Sequence, residues 1–285
     1  MEFNIEGESF RMHDEDEPWM AGLDRGRANS GRVYDYLLGG SHNFAADRKV
    51  AQEVMRANPL FPRQAGVNRS FLGRAVTYLA DQGMDQFLDI GSGIPTQGNV
   101  HEIAQRIVPE SRIVYVDIDP VAVFTANQLL AGNDNATALE GDLTHPGDIL
   151  EQLKHDDLHR LIDFDKPVAV LLVAVLHFVS DHDAAHAAVA HLRNALAPGS
   201  HLVISHVAPE SFTPEQLEAG RAAYRQGAAL PFTLRTREQV ADFFGDFALV
   251  EPGLTWLPSW RPAGDEDFAD DPIRSGVRGG IGRKS

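Results

Sequence analysis

Three short stretches carry residue types that suit ligand binding. In the first, the apolar run Phe87-Leu88-Asp89-Ile90 stops at the glycine turn Gly91-Ser92-Gly93-Ile94-Pro95-Thr96. Gly91 and Gly93 let the backbone turn sharply and approach a ligand, because no Cβ stands in the way. A helix opening near Thr96, with Val100, Ile103, Ala104 and Ile107 at helical spacing, would offer unpaired N–H groups and a partial positive charge to an anionic group or a ribose. The second stretch, Arg112 to Asp117, closes on an acid about 25 residues beyond that turn, near the spacing of the ribose-binding carboxylate in nucleotide folds. Asp117 could accept from both ribose hydroxyls. The plainer alternative is a capping carboxylate, a role that Asp119 already fits with Pro120 at the first helical position. The third stretch, Ala136 to Glu140, ends in Gly141-Asp142-Leu143.

These residues work together only if their strands lie side by side, as the carboxyl ends of a parallel sheet do. From Phe87 onward strand and helix signals alternate, the pattern of a parallel α/β sheet. Residues 168 to 173 form a continuous apolar strand, as expected where helices cover both faces. His177 lies just past its carboxyl end. A helix over 183 to 196, a strand over 201 to 206 and helices over 214 to 228 and 236 to 244 follow. Residues 247 to 251 and 254 to 257, joined by Pro252-Gly253, read as a terminal antiparallel hairpin. Ahead of the sheet, residues 1 to 26 read as a loose acidic arm. Residues 27 to 84 read as a helical front end, with a short helix ended by Gly39-Gly40 and further helices over 45 to 57 and 66 to 82. Tyr34, Asp35, Tyr36, Asn43 and Asp47 cluster around that glycine pair, so the front end could fold over the site as a lid. The sheet domain spans 85 to 262, and 263 to 285 read as a loose glycine- and arginine-rich tail.

The 285 residues are 43% hydrophobic, enough for a sizeable core. Acidic side chains outnumber basic ones, 41 to 25, for a net charge of -16. That charge disfavours nucleic acid as a partner. There is no cysteine, which excludes disulfides, thiolate metal sites and a thiolate nucleophile and agrees with a cytoplasmic protein. The longest apolar run, 168 to 176, falls far short of the roughly 20 residues that span a bilayer. A homo-oligomer is compatible with the sequence.

In this order, Asp89-Ile90-Gly91-Ser92-Gly93, Val116-Asp117-Ile118-Asp119-Pro120, Gly141-Asp142-Leu143, Val175-Leu176-His177 and a terminal hairpin, the chain resembles a class I S-adenosylmethionine-dependent methyltransferase. Residues 32 to 40, 43 to 48, 89 to 96 and 99 to 102 are similar to an actinomycete S-adenosyl methyltransferase family formerly known as a domain of unknown function, bacterial and uncharacterised. The resemblance implies a Rossmann-like class I methyltransferase sheet with an N-terminal helical extension, and S-adenosyl-L-methionine as cofactor. It implies that Asp89, Ser92 and the Gly91 to Gly93 turn lie against the methionine part and ribose, with Thr96 at the helix start. Asp117 would hold the ribose hydroxyls and Ile118 would pack on the adenine. Asp142 would accept from the adenine amino group, and the Leu143 N–H would donate to the ring. Val173 and Ala174 would offer backbone groups to the ammonium. The wider class has a third glycine where Ile94-Pro95-Thr96 stands here, so the seat of the cofactor carboxylate is open, with Tyr36 or Asn43 as candidates.

Methyl transfer from a sulfonium requires alignment of the acceptor, and a general base only where the acceptor loses a proton. His177 is the best-placed base; its alternative is a structural histidine. His177, His182, His186 and His191 invite a metal reading, but Asp181-His182-Asp183 reads as a helix cap, with the later histidines on a solvated face. The missing cysteine, the charge and the absence of an Asn/Asp-Pro-Pro-aromatic run point to a small-molecule acceptor. Two other readings stay open: a non-catalytic S-adenosylmethionine-binding sensor or partner-binding protein, and an NAD(P)-dependent oxidoreductase, which Thr96 at the sixth fingerprint position fits poorly.

Overall fold

The computed structural model describes residues 25–94, 98–226 and 233–285. Three helices precede the sheet: α1 (Ser30–Leu37), α2 (Ala45–Ala57) and α3 (Phe61–Asp81). The Asn29 side chain caps α1 by accepting from the Gly31 and Arg32 amides at 2.7 and 3.3 Å. Helix α3 starts earlier than its apolar spacing suggests. Pro62 lies in its first turn, where a missing N–H costs nothing, so the helix opens there.

The sheet follows as β1 (Gln86–Ile90), α4 (Val100–Ile107), β2 (Arg112–Asp117), α5 (Pro120–Leu129), β3 (Ala136–Glu140), α6 (Pro146–Gln152), α7 (Asp156–His159), β4 (Ala169–Val173), α8 (His182–Ala195) and β5 (His201–Val207). After it come α9 (Pro214–Gln226), α10 (Arg237–Asp242), β6 (Ala248–Leu249), β7 (Thr255–Trp256) and β8 (Val277–Arg283). The strand order is β3-β2-β1-β4-β5-β8-β6, with β7 also on β8. Strands β1 to β5 are parallel. Their register sets Asp89 opposite Tyr115, and Asp117 opposite Glu140, so the ligand-type residues do share one edge. Alternation assigns the faces. Phe87 packs with Phe71, Leu79 and Tyr115 on the α3 side, whereas Leu88 and Ile90 pack with Val114, Val170 and Val189 on the α8 side. Asp89 therefore points to the same side as Phe87, toward α3.

The sheet corrects two expectations. The tail is not loose, because residues 277 to 283 form β8, paired antiparallel with β5 along its whole length. The glycines of β8 look like linker composition, but each stands where a side chain would not fit. A Cβ on Gly279 would lie 2.7 Å from Leu257 and 2.8 Å from the Ile204 carbonyl, and one on Gly282 would lie 2.7 Å from Phe244. Nor do β6 and β7 form a hairpin. Both run antiparallel to β8 and lie end to end along it, a single edge strand interrupted at Pro252-Gly253. Pro252 cannot donate to a ladder, so the edge breaks there.

One buried cation ties the front end to the sheet. Arg32 donates to Asp47 at 3.0 Å, to Asp119 at 2.7 Å and to the Arg27 carbonyl at 2.9 Å, with all three side chains buried. Asp47 also accepts from the Asn29 and Phe44 amides. Asp119 caps α5 through the Val121 amide.

Arg32→Met is expected to lower the unfolding free energy by about 3–5 kcal/mol, because it leaves two buried carboxylates without their cation. Urea unfolding measures this; a loss under about 1 kcal/mol would mean the triad is only a surface-like pair. Ending the chain after Gly276 removes β8 and is expected to abolish the cooperative thermal transition followed by circular dichroism. A wild-type Tm in that truncation would make β8 peripheral.

Candidate active site

At the end of β1 the chain turns through Gly91 and Gly93, both at positive φ, 74° and 62°. A Cβ at Gly91 would run into Val175. The Gly91 and Ser92 amides both donate to the Val116 carbonyl, at 2.7 and 3.2 Å. The Gly93 amide donates to Asp117 Oδ2 at 2.7 Å, and the Asp119 amide donates to Asp117 Oδ1 at 2.9 Å. The cap of α5 is thus Asp119, and Asp117 faces the glycine turn with a further lone pair on each oxygen. Helix α4 begins at Val100, not near Thr96. The Asn99 amide donates to Glu102 at 3.0 Å in a capping-box arrangement that sets the start. Thr96 itself lies outside the described residues.

The carboxyl edge of the sheet opens into a cavity of about 300 Å³. Asp89, Gly91, Ser92, Gly93, Asp117 and Ile118 line one side, Asp142 and Leu143 the next, and Val173 and Ala174 the third. Ile118 is 49% exposed, an apolar side chain open to a flat partner. Asp142 accepts from the Thr144 amide at 2.8 Å. Burial pushes its carboxyl up, but the Thr144 amide and hydroxyl and His145 outweigh this and hold it below its usual range. Ala174 occupies the left-handed region, φ 57°, a strained position for a residue with a Cβ. Its amide is anchored on Ser205 Oγ at 2.9 Å.

The opposite wall comes from the front end. A hydrogen-bond chain runs from Ala174 through it. Ser205 donates to Asn68 Oδ1 at 2.6 Å, Asn68 donates to the Tyr34 hydroxyl at 2.9 Å, and Tyr34 donates to the Ala65 carbonyl at 3.0 Å. Arg69, next along α3, lines the cavity and donates to the Gly98 carbonyl at 3.2 Å. Ser30, Gly31, Asn68, Arg69 and Tyr224 are lining residues that reading the sequence missed, whereas Tyr34 belongs to the front-end cluster it singled out. The polar pair Asn68-Arg69 within the apolar spacing of α3 is the one signal that could have found any of them.

Tyr36 and Asn43 do not line the cavity. Tyr34 and Leu37, three apart on α1, face it, and a residue two positions from Tyr34 points to the far side of the helix. Tyr36 packs instead among the front-end helices. Asn43 is a buried brace, donating to Asp35 at 2.9 Å and to the Gly40 carbonyl at 3.0 Å.

The electrostatics of the edge are unusual for carboxylates. Burial pushes the Asp89 carboxyl up to about 7, with Arg69 pulling it down and Asp117 pushing it further up. Burial likewise raises Asp117 to about 6, against the pull of the Asp119 and Gly93 amides. Burial thus brings Asp89 to the edge of neutrality while leaving Asp117 mostly ionised at physiological pH, and a cation beside them would favour the charged form of both.

His177 reaches the cavity from the turn after β4 and is buried. Its ring lies 4.4 Å from Phe178 and 5.5 Å from His206. Burial, His206 and Arg235 hold its imidazole well below the usual histidine range, so it is neutral at physiological pH. Behind it, Arg235 donates to the Leu176 and Val179 carbonyls at 2.7 Å each and to His182 at 3.1 Å. Asp181 caps α8 through the Ala184 amide at 3.0 Å. Among the described residues no helix is long and apolar enough to cross a membrane.

A parallel sheet ordered 3-2-1-4-5, ending in antiparallel strands, with a glycine turn and an acid at adjacent strand ends, is the fold of class I S-adenosylmethionine-dependent methyltransferases. The family profile described as S-adenosyl methyltransferase matches residues 16–285, and the chain belongs to that family. It is an S-adenosylmethionine-dependent methyltransferase. The chain is similar to a candidate methyltransferase from Thermobifida fusca YX, at 40% identity over 93% of this chain and 97% of that one, with a TM-score of 0.84. It is also similar to a DUF574-family protein from Streptomyces avermitilis MA-4680, at 36% identity over 92% and 99% of the two chains, with a TM-score of 0.84. No curated protein matches.

With the cofactor ammonium beside them, as the resemblance implies, Asp89 and Asp117 would make cofactor binding depend on pH. A cation bound beside them favours their ionised forms, so binding releases protons and tightens as the pH rises through 6 and 7. Calorimetry with S-adenosylhomocysteine at about pH 6.5, in two buffers of different ionisation heat, is expected to show net proton release. Equal heats in both buffers would rule the linkage out.

Proposed function

We propose that the protein methylates a small molecule, with the cofactor along the carboxyl edge of the sheet and the acceptor on the front-end side. One observation carries this reading: the glycine turn, Asp117, Asp142 and Val173 meet at one cavity whose other side holds His177. The residues present suit the cofactor. Asp117 is the acceptor for the ribose hydroxyls, exposed Ile118 takes the adenine face, and Asp142 with the Leu143 amide reads the adenine edge. The methionine end is a zwitterion and needs a charge of each sign. Asp89, with the backbone of Val173 and Ala174, takes the ammonium. Arg69 takes the carboxylate in place of the absent third glycine, with the Ser30 hydroxyl at the start of α1, buried and without a hydrogen-bond partner among the described residues, as a further donor lining the cavity. The cavity, at the small end of ligand pockets, and the net charge of -16 favour a small acceptor over a nucleic acid. A bacterial, cytoplasmic setting is part of the proposal, in line with the actinomycete resemblance.

When bound, the cofactor supplies an electrophilic methyl group, which an acceptor lone pair attacks in line while the S–CH₃ bonding pair returns to sulfur. His177 is the general base, a neutral imidazole that takes the acceptor proton and later passes it to solvent. A base of depressed pKa is active across neutrality and fails only in acid, where it is protonated.

Calorimetric titration with S-adenosylhomocysteine, 5′-methylthioadenosine and NADH tests the assignments. The first two are expected to bind and NADH is not. Asp117→Ala should weaken both adenosyl ligands by roughly ten-fold or more. Arg69→Met should weaken S-adenosylhomocysteine by roughly ten- to a hundred-fold and leave 5′-methylthioadenosine, which lacks the amino-acid end, within about two-fold. His177→Ala should leave S-adenosylhomocysteine affinity unchanged. Equal binding by wild type and Asp117→Ala would sink the ribose assignment, and a parallel loss of both ligands in Arg69→Met would sink the carboxylate assignment.

A further inference from the structure

The cavity has two chemically distinct halves. Among the described residues its charged lining side chains are Arg69, Asp89, Asp117 and Asp142, and all four lie on or beside the cofactor edge. The other half is walled by rings: Tyr34 from α1, Phe61 at the start of α3, Phe178 after β4, Phe212 after β5 and Tyr224 from α9. Phe61 and Phe212 are stacked, 6.1 Å apart at 24°. Phe178 and Tyr224 are 6.0 Å apart and tilted at 48°. Gly276 makes room for this arrangement, since a Cβ there would sit 2.9 Å from the Phe212 ring.

The polar atoms in this wall are largely engaged with the protein. The Tyr34 hydroxyl and the Asn68 amide serve the chain to Ser205, and the Gln64 amide donates to the Arg274 carbonyl at 2.8 Å. A charged acceptor placed here would lose its hydration without gaining a counter-ion. A flat neutral one would meet ring faces and edges on several sides, each such contact worth about 0.5–1.5 kcal/mol beyond its buried area. His177, with its ring against Phe178, is where this wall meets the cofactor half, and its neutral form is a proton acceptor rather than a donor pair.

We infer that the methyl acceptor is an uncharged aromatic molecule bearing a hydroxyl, with its ring among Phe61, Phe178, Phe212 and Tyr224 and its hydroxyl directed at His177. This inference rests on the proposed cofactor seat. In the reaction it implies, the acceptor O–CH₃ bond forms as the S–CH₃ bond breaks. The bonding pair goes to sulfur, and the hydroxyl proton goes to the His177 imidazole.

The test uses the full-length protein saturated with S-adenosylhomocysteine and titrated calorimetrically with 4-cresol, 2-naphthol and 4-phenylphenol. Deprotonated 2-naphthoate and spermidine serve as charged comparisons. At least one of the three neutral phenols is expected to bind, and more tightly than either charged probe. Phe212→Ala is expected to weaken that phenol roughly ten-fold, and Phe212→Tyr should restore most of the loss. Unchanged S-adenosylhomocysteine affinity in both variants certifies that they are folded. If S-adenosylhomocysteine binds but no phenol does, or if naphthoate or spermidine binds at least as well, the acceptor inference is wrong and the cofactor seat stands. If S-adenosylhomocysteine itself does not bind, the cofactor seat fails, and the acceptor inference fails with it.

Discussion

The buried guanidinium of Arg32 is the constraint on which the site depends. It joins a carboxylate of the front end, Asp47, to a carboxylate of the sheet edge, Asp119, in a place closed to water. A lone charge there would be costly, and each partner is further committed to backbone amides, so the three groups hold one geometry. Asp119 is two residues from Asp117, and Asp47 holds the Asn29 amide at the start of α1. Through this triad the first helix sits on the glycine turn, so closely that a Cβ on Gly31 would lie 3.5 Å from the Gly93 Cα. The cavity is the space left between a helical front end and a strand edge held at that distance.

The second organising feature is the sorting of charge across that space. The sheet edge holds acids whose burial favours their neutral forms, together with Arg69 on α3. The helical side holds rings and a histidine kept neutral by burial and by Arg235. In the proposed arrangement such a site would have electrostatic work for a zwitterionic, cationic cofactor at one end and almost none for an acceptor at the other. The Ala174-Ser205-Asn68-Tyr34 chain crosses between the halves. It couples the strained end of β4 to the helices that close the pocket.

Much of this was legible in the residues. Gly91, Gly93, Asp117 and Asp142 stand at strand ends, where local backbone chemistry and spacing identify them. The alternation that marks β1 to β5 is equally local. The front-end helices were readable as helices, but not which of their residues face inward. Of Tyr34, Tyr36 and Asn43, which flank a glycine turn in the sequence, Tyr34 lines the cavity and the other two do not, while Arg69 was not singled out. Facing is decided by the rotation at which a helix docks, and α1, which carries Tyr34, is tied to the sheet by Arg32 reaching Asp119, 87 positions away. The glycine-rich tail was misread for a related reason. A strand is recognised by side chains that pack, and in β8 the packing is supplied by Leu257, Phe244 and the Ile204 carbonyl, which fill the space those side chains would occupy.

The sequence by itself determined the parallel sheet and the ligand-type residues at its carboxyl edge, because turns, caps and strand ends are written in a few adjacent residues, and through its family resemblance it pointed to the cofactor. Only the tertiary structure decided where β8 pairs, which front-end side chains enter the cavity and how charge divides between its halves. Those outcomes depend on contacts between segments far apart in the chain, whose meeting no local pattern encodes.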